Sequence, residues 1–280
     1  MKLIIQKKRE KIMTMKKTKN IMIAMLMAGL MVLSARAEKA TDSKILKIGT
    51  DDTYPPFEYR NDANEMVGFE IDLAREIGKK LGMEVEFTSS NWTGIFNGLN
   101  SKNYDVIMSA TSMTKERLET YIFSKPYMVN GQVIVSKTGG KIIQSPEELA
   151  GLKVGVQLET TADIAATKYK EEVDFEITKY DDVIQTFTAM KAGHVDVVVA
   201  DYAVAIDYAN KNPDDYTITD VMLTNEPIAV TIRKDDTDLK AKIDTALDAL
   251  REEGTLKELS IKWLGDDYTS NIDETLKGAE

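Results

Sequence analysis

The chain has 280 residues, a formal net charge of −10, 43% hydrophobic and 29% charged residues, no cysteine and one histidine. This is the balance of a globular protein with one large or two ordinary domains. The lack of cysteine excludes disulfides, thiolate metal sites, a cysteine nucleophile and a lipid-modified N-terminal cysteine, and a single histidine excludes a histidine-rich metal site.

Residues 1–37 have the composition of a secretory signal. Basic residues crowd the first 19 positions, an apolar run follows at 21–33, and Ala35 and Ala37 form an A-x-A cleavage pattern. The alternatives are an uncleaved anchor and a start at Met15. Cleavage near Ala37 would remove nine basic residues and one acidic residue, leaving 27 basic and 45 acidic residues and a net charge of −18. Such a surface repels nucleic acid and anionic membranes and suits an exported protein with a small ligand.

From residue 44 onward, predicted strands and helices alternate. The run ILKIGT at 45–50 is strand-like, and residues 69–82 form an amphipathic helix that Gly82 ends. The first set continues with a strand at 83–90, a short helix and turn at 92–103, a strand at 104–110 and a helix with Thr114 as its N-cap.

A second set begins with the segment SPEELAG at 145–151, where Ser145, Pro146 and Glu148 predict a helix start with a capping box. The set continues with strands at 153–157, 175–180 and 195–200 and helices at 161–171, 181–193 and 202–212. The remaining chain provides one strand at 228–234 and helices at 237–254 and 255–265.

This alternation predicts an α/β fold with parallel-rich sheets covered by helices on both faces. Two sets of elements and a short tail indicate two lobes. The connections near 127–131 and 224–228 are extended and contain no low-complexity linker. Extended connections favour a hinge over a loose tether.

Four stretches at the ends of predicted strands carry side chains suited to ligand binding. They are GTDDTYPPFEY at 49–59, SATSMTKER at 109–117, GVQLETTAD at 155–163 and DVVVAD at 196–201. In open α/β sheets, ligands bind beyond the carboxyl ends of the strands. Pro55 and Pro56 stiffen the first loop, so Tyr54 is presented as a pocket wall with Asp51 beside it.

The charged members of these stretches suit the two ends of a zwitterion. Arg117 follows a helix start, where free N–H groups attract an anion, and a guanidinium grips a carboxylate with two hydrogen bonds. Asp201 follows a buried strand and suits an ammonium group. An α-amino acid needs both charges, because an unpaired charge in a closed site costs several kcal/mol. The simpler alternatives are a packed turn, a surface arginine and residues that only cap helices; His194 is predicted to lie in a surface turn.

Seven stretches resemble the periplasmic solute-binding proteins of polar amino-acid ABC transporters, the bacterial extracellular solute-binding proteins of family 3. They are IGTDDTYPPFEY, VGFEIDLAREIGKKLG, YDVIMSATSMTKER, FSKPYMVNGQVIV, LKVGVQLETT, GHVDVVVADYAVA and GTLKELSIKWLG. The resemblance covers residues 44–268. It implies a two-lobed periplasmic binding protein-like (type II) fold with two hinge strands. Lobe 1 would comprise 44–127 and 228–268, lobe 2 would comprise 131–225, and 269–280 would be a tail.

The resemblance also implies a role for each matching residue. The ligand carboxylate would contact Arg117, Ser112, Ala110 and Thr161, and the ligand ammonium would contact Asp201. Tyr54 and Trp92 would form the aromatic walls. Asp51 and Gln157 would lie near the polar end of the ligand side chain. Further candidates are Ser109, Thr160 and Glu159. The family usually has a small residue, often glycine, in place of Glu159, whose side chain would point to solvent or meet a cationic ligand.

We therefore expect a non-enzymatic, monomeric binding protein of the periplasm that delivers an L-amino acid to an inner-membrane ABC permease, without cofactor, metal or nucleic acid. Asp51, Gln157 and Glu159 favour lysine, arginine, histidine or ornithine, with glutamine and cystine as alternatives. One rival is an enzyme resembling the cyclohexadienyl or arogenate dehydratases, which needs a general acid, with Glu159 as the candidate. The other is a sensor module, which needs a signalling segment that the sequence does not show.

Overall fold

The computed structural model describes residues 44–270 and residue 272. Its strands, in chain order, are β1 (Ile45–Thr50), β2 (Thr53–Tyr54), β3 (Glu58–Arg60), β4 (Met66–Val67), β5 (Glu84–Ser89), β6 (Val106–Ile107), β7 (Tyr121–Phe123), β8 (Met128–Asn130), β9 (Gln132–Lys137), β10 (Lys153–Gln157), β11 (Glu176–Tyr180), β12 (Val197–Asp201), β13 (Tyr216–Met222), β14 (Glu226–Ile228) and β15 (Thr231–Arg233). The predicted signal segment at 1–37 lies outside the described residues.

Helices follow most of the strands. They are α1 (Phe69–Leu81), α2 (Trp92–Asn100), α3 (Lys115–Thr120), α4 (Thr161–Lys170), α5 (Val183–Ala192), α6 (Tyr202–Lys211), α7 (Thr237–Glu252) and α8 (Thr255–Leu264). None of the helices in this part of the chain is both long and apolar enough to cross a membrane.

The first sheet has the strand order β5-β1-β6-β15-β7. Strand β1 runs parallel to β5 and β6, whereas β15 is antiparallel to β6 and β7. Helix α1 packs against α7 and α8, so the end of the chain completes the layer beside this sheet. Its sequence explains its ends: Glu70 and Asp72 lie in its first turn, Lys79 and Lys80 in its last, and Gly82 takes the left-handed conformation at its C-cap.

The second sheet has the strand order β11-β10-β12-β9-β13. Strand β10 is parallel to β11 and β12, and β9 is antiparallel to β12 and β13. All five residues of β12 are buried, as its apolar run predicts for a strand covered on both faces. Phe187 of α5 is fully buried beneath this sheet and stacks on Tyr208 at 3.8 Å between ring centroids.

Two short antiparallel strands, β8 and β14, connect the sheets, with Glu226 opposite Asn130 and Ile228 opposite Met128. They lie at the two extended connections that the sequence predicted. Strands β2, β3 and β4 form a small separate sheet around the loop that carries Tyr54, and the Pro55–Pro56 peptide bond is cis.

Two local predictions were wrong in detail. The expected capping box at 145–151 is one 3₁₀ turn, Pro146–Leu149, in which Ser145 makes no side-chain cap and the Glu148 carboxylate accepts from the Gln144 N–H. The strand predicted at 104–110 is only Val106–Ile107. The residues after it leave the sheet and form the loop that carries Ser109 and Ala110.

Candidate functional site

A cavity lies between loops of the first and second sheets; it is called the central cavity below. Its lining contains eleven of the twelve candidate residues: Asp51, Tyr54, Trp92, Ser109, Ala110, Ser112, Arg117, Gln157, Thr160, Thr161 and Asp201. Many of them stand at or just after the carboxyl ends of β1, β10 and β12, where ligands bind in open α/β sheets.

Arg117 stands on the first-sheet side of the central cavity. One guanidinium nitrogen, Nη1, donates to the Ser112 carbonyl at 3.0 Å. The guanidinium also lies 5.1 Å from the ring centroid of Trp92 and 5.2 Å from that of Phe96, within the range of a cation–π contact. Burial lowers the pKa of Arg117 to about 10, while the negative charges of Glu226 and Asp201 oppose that shift. The side chain is therefore held in the cavity wall and keeps its charge at neutral pH.

The sequence of α3 explains how Arg117 reaches this position. The Thr114 hydroxyl accepts from the Arg117 N–H at 3.2 Å, which confirms Thr114 as the N-cap. The cap fixes the first turn of a six-residue helix. Arg117 is the third residue of that turn, next to the loop that contains Ser112.

Asp201 stands on the opposite, second-sheet side and is 4% exposed. Its Oδ2 accepts from the Tyr54 hydroxyl at 2.6 Å and its Oδ1 from Nε2 of Gln132 at 2.5 Å. Burial raises the pKa of Asp201 to about 7, and the negative charge of Glu226 adds to the rise. Although Asp201 precedes α6, its side chain makes no capping hydrogen bond. The capping alternative therefore does not explain this residue.

Thr160 and Thr161 bring the start of α4 to the cavity. The Thr160 hydroxyl accepts from the Asp163 N–H at 3.4 Å and donates to the Gln157 carbonyl at 2.8 Å, so Thr160 is the N-cap as well as a lining residue. The Thr161 hydroxyl accepts from Nε2 of Gln132 at 3.0 Å. Gln132 therefore joins Thr161 to Asp201 across the second-sheet side.

Asp51 and Gln157 face each other across the cavity. Nε2 of Gln157 donates to Oδ2 of Asp51 at 3.2 Å, and the Thr53 hydroxyl donates to Oδ1 of Asp51 at 2.6 Å. Burial raises the pKa of Asp51, and its hydrogen bonds with Thr53 and Gln157 oppose the rise. The buried Oε1 of Gln157 has no hydrogen-bond partner among the described residues. This end of the cavity therefore offers a carboxylate and a free amide oxygen, both of which attract hydrogen-bond donors.

Glu159 is the candidate that the central cavity does not include. The residue is exposed, and it lines a wider outer cleft that also borders Trp92 and Arg117. Its φ of 61° lies in the left-handed region, which glycine adopts without steric cost. The part of Glu159 that faces the site is its backbone carbonyl, which accepts from Nε1 of Trp92 at 3.0 Å.

Around the central cavity, three of the hydrogen bonds between described residues cross from the first-sheet side to the second-sheet side. They join Tyr54 to Asp201 at 2.6 Å, Trp92 to the Glu159 carbonyl at 3.0 Å and Gln157 to Asp51 at 3.2 Å. Each pairs a residue from before β7 with a residue from after β9. The two sides of the cavity are thus in direct contact, as in a closed cleft.

A pair of fully buried carboxyl groups supports the floor of the cavity. Glu58 accepts from the Ser109 hydroxyl at 2.7 Å, and Glu70 accepts from the Ala110 N–H at 2.9 Å and from the Tyr127 hydroxyl. Burial raises the pKa of Glu70 to about 7, and burial together with the charge of Glu70 raises the pKa of Glu58 well above its usual value. These groups hold the Ser109–Ala110 backbone, where Ala110 has a φ of 41°.

The prediction from sequence omitted several residues that shape the site: Glu58, Glu70, Phe96, Gln132 and Glu226. The signals for two of them are visible in hindsight. Gln132 stands directly before the apolar run at 133–135 of β9, and Glu226 directly before Pro227 and Ile228 in β14, yet both are buried. A polar side chain within a buried apolar run needs partners, because leaving it unsatisfied costs free energy.

Residues 46–266 match the family model described as bacterial extracellular solute-binding proteins, family 3. The L-cystine-binding protein TcyJ of Escherichia coli is 32% identical over 254 residues, covering 89% of this chain and 95% of that protein.

Solved structures are similar over most of the described residues. A structure of an ancestral arginine-binding protein bound to arginine is 38% identical with a TM-score of 0.75, covering 78% of this chain and 97% of that one. The ancestral amino acid-binding protein AncCDT-1, a precursor of cyclohexadienyl dehydratase, is 34% identical with a TM-score of 0.74, covering 79% and 95%. These likenesses confirm the predicted two-lobed type II fold with its two hinge strands.

Proposed function

This chain belongs to the bacterial extracellular solute-binding proteins of family 3, and we propose that it captures an L-amino acid in its central cavity and presents it to an ABC transporter in the membrane. The observation that carries the proposal is the placement of Arg117 and Asp201 on opposite sides of one buried cavity. A cation and an anion so placed match the carboxylate and ammonium groups of a zwitterion. Relatives that bind cystine and arginine support the same substrate class.

Roles for the remaining lining residues follow from where they stand. The carboxylate would meet Arg117 and the polar groups of Ser112, Ala110 and Thr161, while Tyr54 and Trp92 flank the ligand. Asp51 and Gln157 would receive the end of its side chain, and Ser109 and Thr160 would support the two loops. Because Arg117 and Asp201 come from different sides, a ligand makes both contacts only when the cleft is closed, so its binding shifts the population to the closed form.

The lobes that move would be residues 44–127 with 228–268 and residues 131–225. Strands β8 and β14 lie between these segments and would form the hinge. The two crossing strands are short and paired with each other, which permits a bend with little loss of contact. The closed form would be the form that the permease recognises.

The preferred ligands would be the cationic amino acids lysine, arginine, histidine and ornithine, followed by glutamine and then by cystine. With Glu159 exposed outside the central cavity, the charge argument rests on Asp51, which is 4% exposed. Asp51 and the free amide oxygen of Gln157 both accept hydrogen bonds, as a guanidinium or ammonium requires. The arginine-binding structural neighbour supports this order, whereas the cystine-binding relative supports the third choice.

We further propose that residues 1–37 are a cleaved signal, that 269–280 are a tail, and that the protein acts as a non-enzymatic monomer in the periplasm. The dehydratase alternative required Glu159 to act as a general acid inside the cavity. That side chain is exposed in the outer cleft, so this geometry does not favour the alternative.

The test is calorimetric titration of the protein from residue 38 onward, unfolded and refolded to remove carried-over ligand, against the twenty amino acids, ornithine and cystine. Submicromolar binding of one basic amino acid would support both the function and the ligand order. Submicromolar binding of glutamine or cystine alone would support the function and refute the charge argument. Lack of binding across the panel would refute the proposed function.

A further inference from the structure

Glu226 is a charged residue close to the central cavity that does not line it. It is the first residue of the connecting strand β14 and is 0% exposed. Both of its carboxylate oxygens are hydrogen bonded: Oε2 accepts from the Ser112 hydroxyl, and Oε1 accepts from the Thr224 hydroxyl at 2.5 Å. Burying a carboxylate is costly, and here the two hydroxyl groups and the nearby cation of Arg117 offset part of that cost.

The hydrogen bonds continue from Glu226 to the far side of the cavity. The Thr224 hydroxyl oxygen accepts from the Gln132 N–H at 2.9 Å. The side-chain Nε2 of Gln132 in turn donates to Asp201 at 2.5 Å and to Thr161 at 3.0 Å. One continuous chain of contacts therefore runs from Ser112 on the first-sheet side, through the hinge, to Asp201 on the second-sheet side.

Backbone contacts tie the Ser112 loop to the same hinge strand. Ser112 forms an isolated antiparallel bridge with Ile228, and the Met113 N–H donates to the Pro227 carbonyl at 2.9 Å. The loop that approaches the ligand carboxylate is thus fastened to β14 through both its backbone and a side chain.

We propose that Glu226 is a positioning residue that aligns the two charge-binding ends of the cavity through the hinge. This inference rests on the proposed function, because it assigns Glu226 a part in holding an amino acid that Arg117 and Asp201 bind. A serine hydroxyl has one hydrogen, and in this structure Glu226 accepts it. A ligand carboxylate can accept this hydrogen only if the hydrogen bond between Ser112 and Glu226 breaks. Because Glu226 lies on the connecting strand β14, ligand binding is therefore linked to the conformation of the hinge.

Because Glu226 is charged, it should affect the pH dependence of ligand binding, which a change in packing alone would not alter. Asp201 faces Tyr54 and Gln132, the cation of Arg117 and the carboxylates of Glu226, Glu58 and Glu70. Among these charged groups, Glu226 contributes most to the raised pKa of Asp201, after burial. An ammonium ligand requires Asp201 to be ionised, so removing the charge of Glu226 moves the pH at which binding weakens to a lower value.

The experiment compares the wild type with Glu226→Gln, Thr224→Val and a matched control, Thr217→Val, by titration with L-arginine, L-glutamine and L-cystine from pH 5.5 to 8.5. Thr217 lies on β13, and its hydroxyl meets that of Thr138, outside the network. Thermal unfolding of each variant confirms that it is folded. Thr224→Val keeps every charge and breaks the chain at one link, so it tests the inference even if Glu226→Gln does not fold.

For the amino acid that binds, Thr224→Val is expected to weaken affinity by about fivefold or more at pH 8, the scale of one hydrogen bond, while Thr217→Val changes it less than about twofold. Glu226→Gln is expected to lower the pH midpoint of binding by about half a unit or more. Folded variants that match the wild type in affinity and midpoint would overturn the inference and leave the proposed function standing. If none of the three probes binds, the amino acid that binds in the full panel replaces them, and a wild type that binds no amino acid of the full panel would refute both.

Discussion

At the scale of single residues, the surrounding protein shifts the pKa of both Arg117 and Asp201, with different consequences for their charge at neutral pH. Burial lowers the pKa of Arg117 only to about 10, so it stays cationic, whereas the pKa of Asp201 rises to about 7. The proposed carboxylate-binding end therefore keeps its charge across neutral pH. The proposed ammonium-binding end changes its charge there.

Arg117→Ala is expected to weaken amino-acid binding by about 2–3 kcal/mol or more, the scale for truncating one partner of a buried charge pair. Binding free energy is lost because the guanidinium no longer contacts the ligand carboxylate, and because that carboxylate is then buried without a cation. Calorimetric titration at pH 7.5 measures it. The matched control is Arg75→Ala, since Arg75 also lies over a ring, 5.9 Å from the Phe87 centroid, but on an exposed face of α1. A loss below about threefold for Arg117→Ala, or an equal loss for Arg75→Ala, would remove Arg117 from the site.

Affinity is expected to fall as the pH drops through about 7, because protonated Asp201 cannot pair with an ammonium. The pKa of Asp201 is raised, and an ammonium ligand pairs only with the ionised carboxylate. Protonation of Asp201 at low pH therefore opposes ligand binding. Well below that pH, affinity should fall about tenfold per pH unit. Titrations between pH 5 and 8.5 test this, and Asp201→Asn should bind more weakly at pH 8 and lack the dependence. An affinity independent of pH in the wild type would contradict the assignment.

Sequence reasoning predicted the candidate site residues that follow strands, but it could not predict the side chains that form hydrogen bonds with them. Asp201 and Thr161 stand where an apolar run ends, which is visible in the sequence. Gln132 and Glu226 gain their roles from side-chain partners 69 and 114 residues away, Asp201 and Ser112. No local pattern encodes such distant pairing. The conformation of Glu159, with its φ of 61°, was likewise invisible because charged residues rarely adopt it.

At the scale of elements, helix α2 shows how the packing of one side chain, Tyr104, can favour glycine over alanine at a helical position. Tyr104, just before β6, packs between Gly49 of β1 and Gly98 of α2 and is 2% exposed. Its hydroxyl donates to the Ile95 carbonyl of the same helix. The two glycines leave the space that its ring fills, which holds α2 and Trp92 at the edge of the cavity.

Gly98→Ala is therefore expected to destabilise the protein by about 1–3 kcal/mol, although alanine in a helix normally stabilises. The added Cβ would lie on the Tyr104 hydroxyl and only 2.6 Å from the ring carbon Cζ. Urea unfolding followed by circular dichroism measures the change. The control is Gly94→Ala in the same helix, where the near atom is Oδ1 of exposed Asn91 at 2.6 Å, which can rotate away. Equal effects of both substitutions would contradict the packing argument.

The order and type of most elements could be predicted because their periodicity and caps are local. Helix α1 ends at Gly82, and Thr114, Thr160 and Asp182 cap α3, α4 and α5 with their side chains. The short strand β6 could not be delimited, because its end depends on Glu58 and Glu70 drawing Ser109 and Ala110 out of the sheet. Strand ends set by tertiary hydrogen bonds leave little trace in a local pattern.

At the scale of the whole molecule, the two lobes and their connections could be predicted from alternating elements, whereas the closed arrangement could not. Closure depends on contacts between distant loops, such as that of Trp92 with the Glu159 carbonyl. Only the folded structure brings such groups together. Another such contact is the hydrogen bond that the Tyr54 hydroxyl donates to Asp201.

Tyr54→Phe is expected to open the ligand-free protein, because it removes one of the hydrogen bonds that join the two sides. A bond to a carboxylate contributes about 1.5–3 kcal/mol, which would shift the ratio of closed to open forms about tenfold or more. Small-angle X-ray scattering should then give a larger radius of gyration for the ligand-free variant than for the wild type. Tyr169→Phe, which alters a ring packed on the second-sheet core, is the control. Equal radii for Tyr54→Phe and wild type would contradict the prediction.

The position of β15 has a consequence for how the chain folds as it is made. This strand sits between β6 and β7, although it follows every strand of the second sheet along the chain. During synthesis from the N-terminus, the first sheet therefore lacks an interior strand until the second sheet has been made. Of the two five-stranded sheets, only the second is built from consecutive strands, which closes its loops at lower entropic cost. The first sheet therefore begins to form before the second sheet but is completed after it. Until residue 233 has been synthesised, the edges of β6 and β7 that β15 will cover remain unpaired and need protection from pairing with other chains.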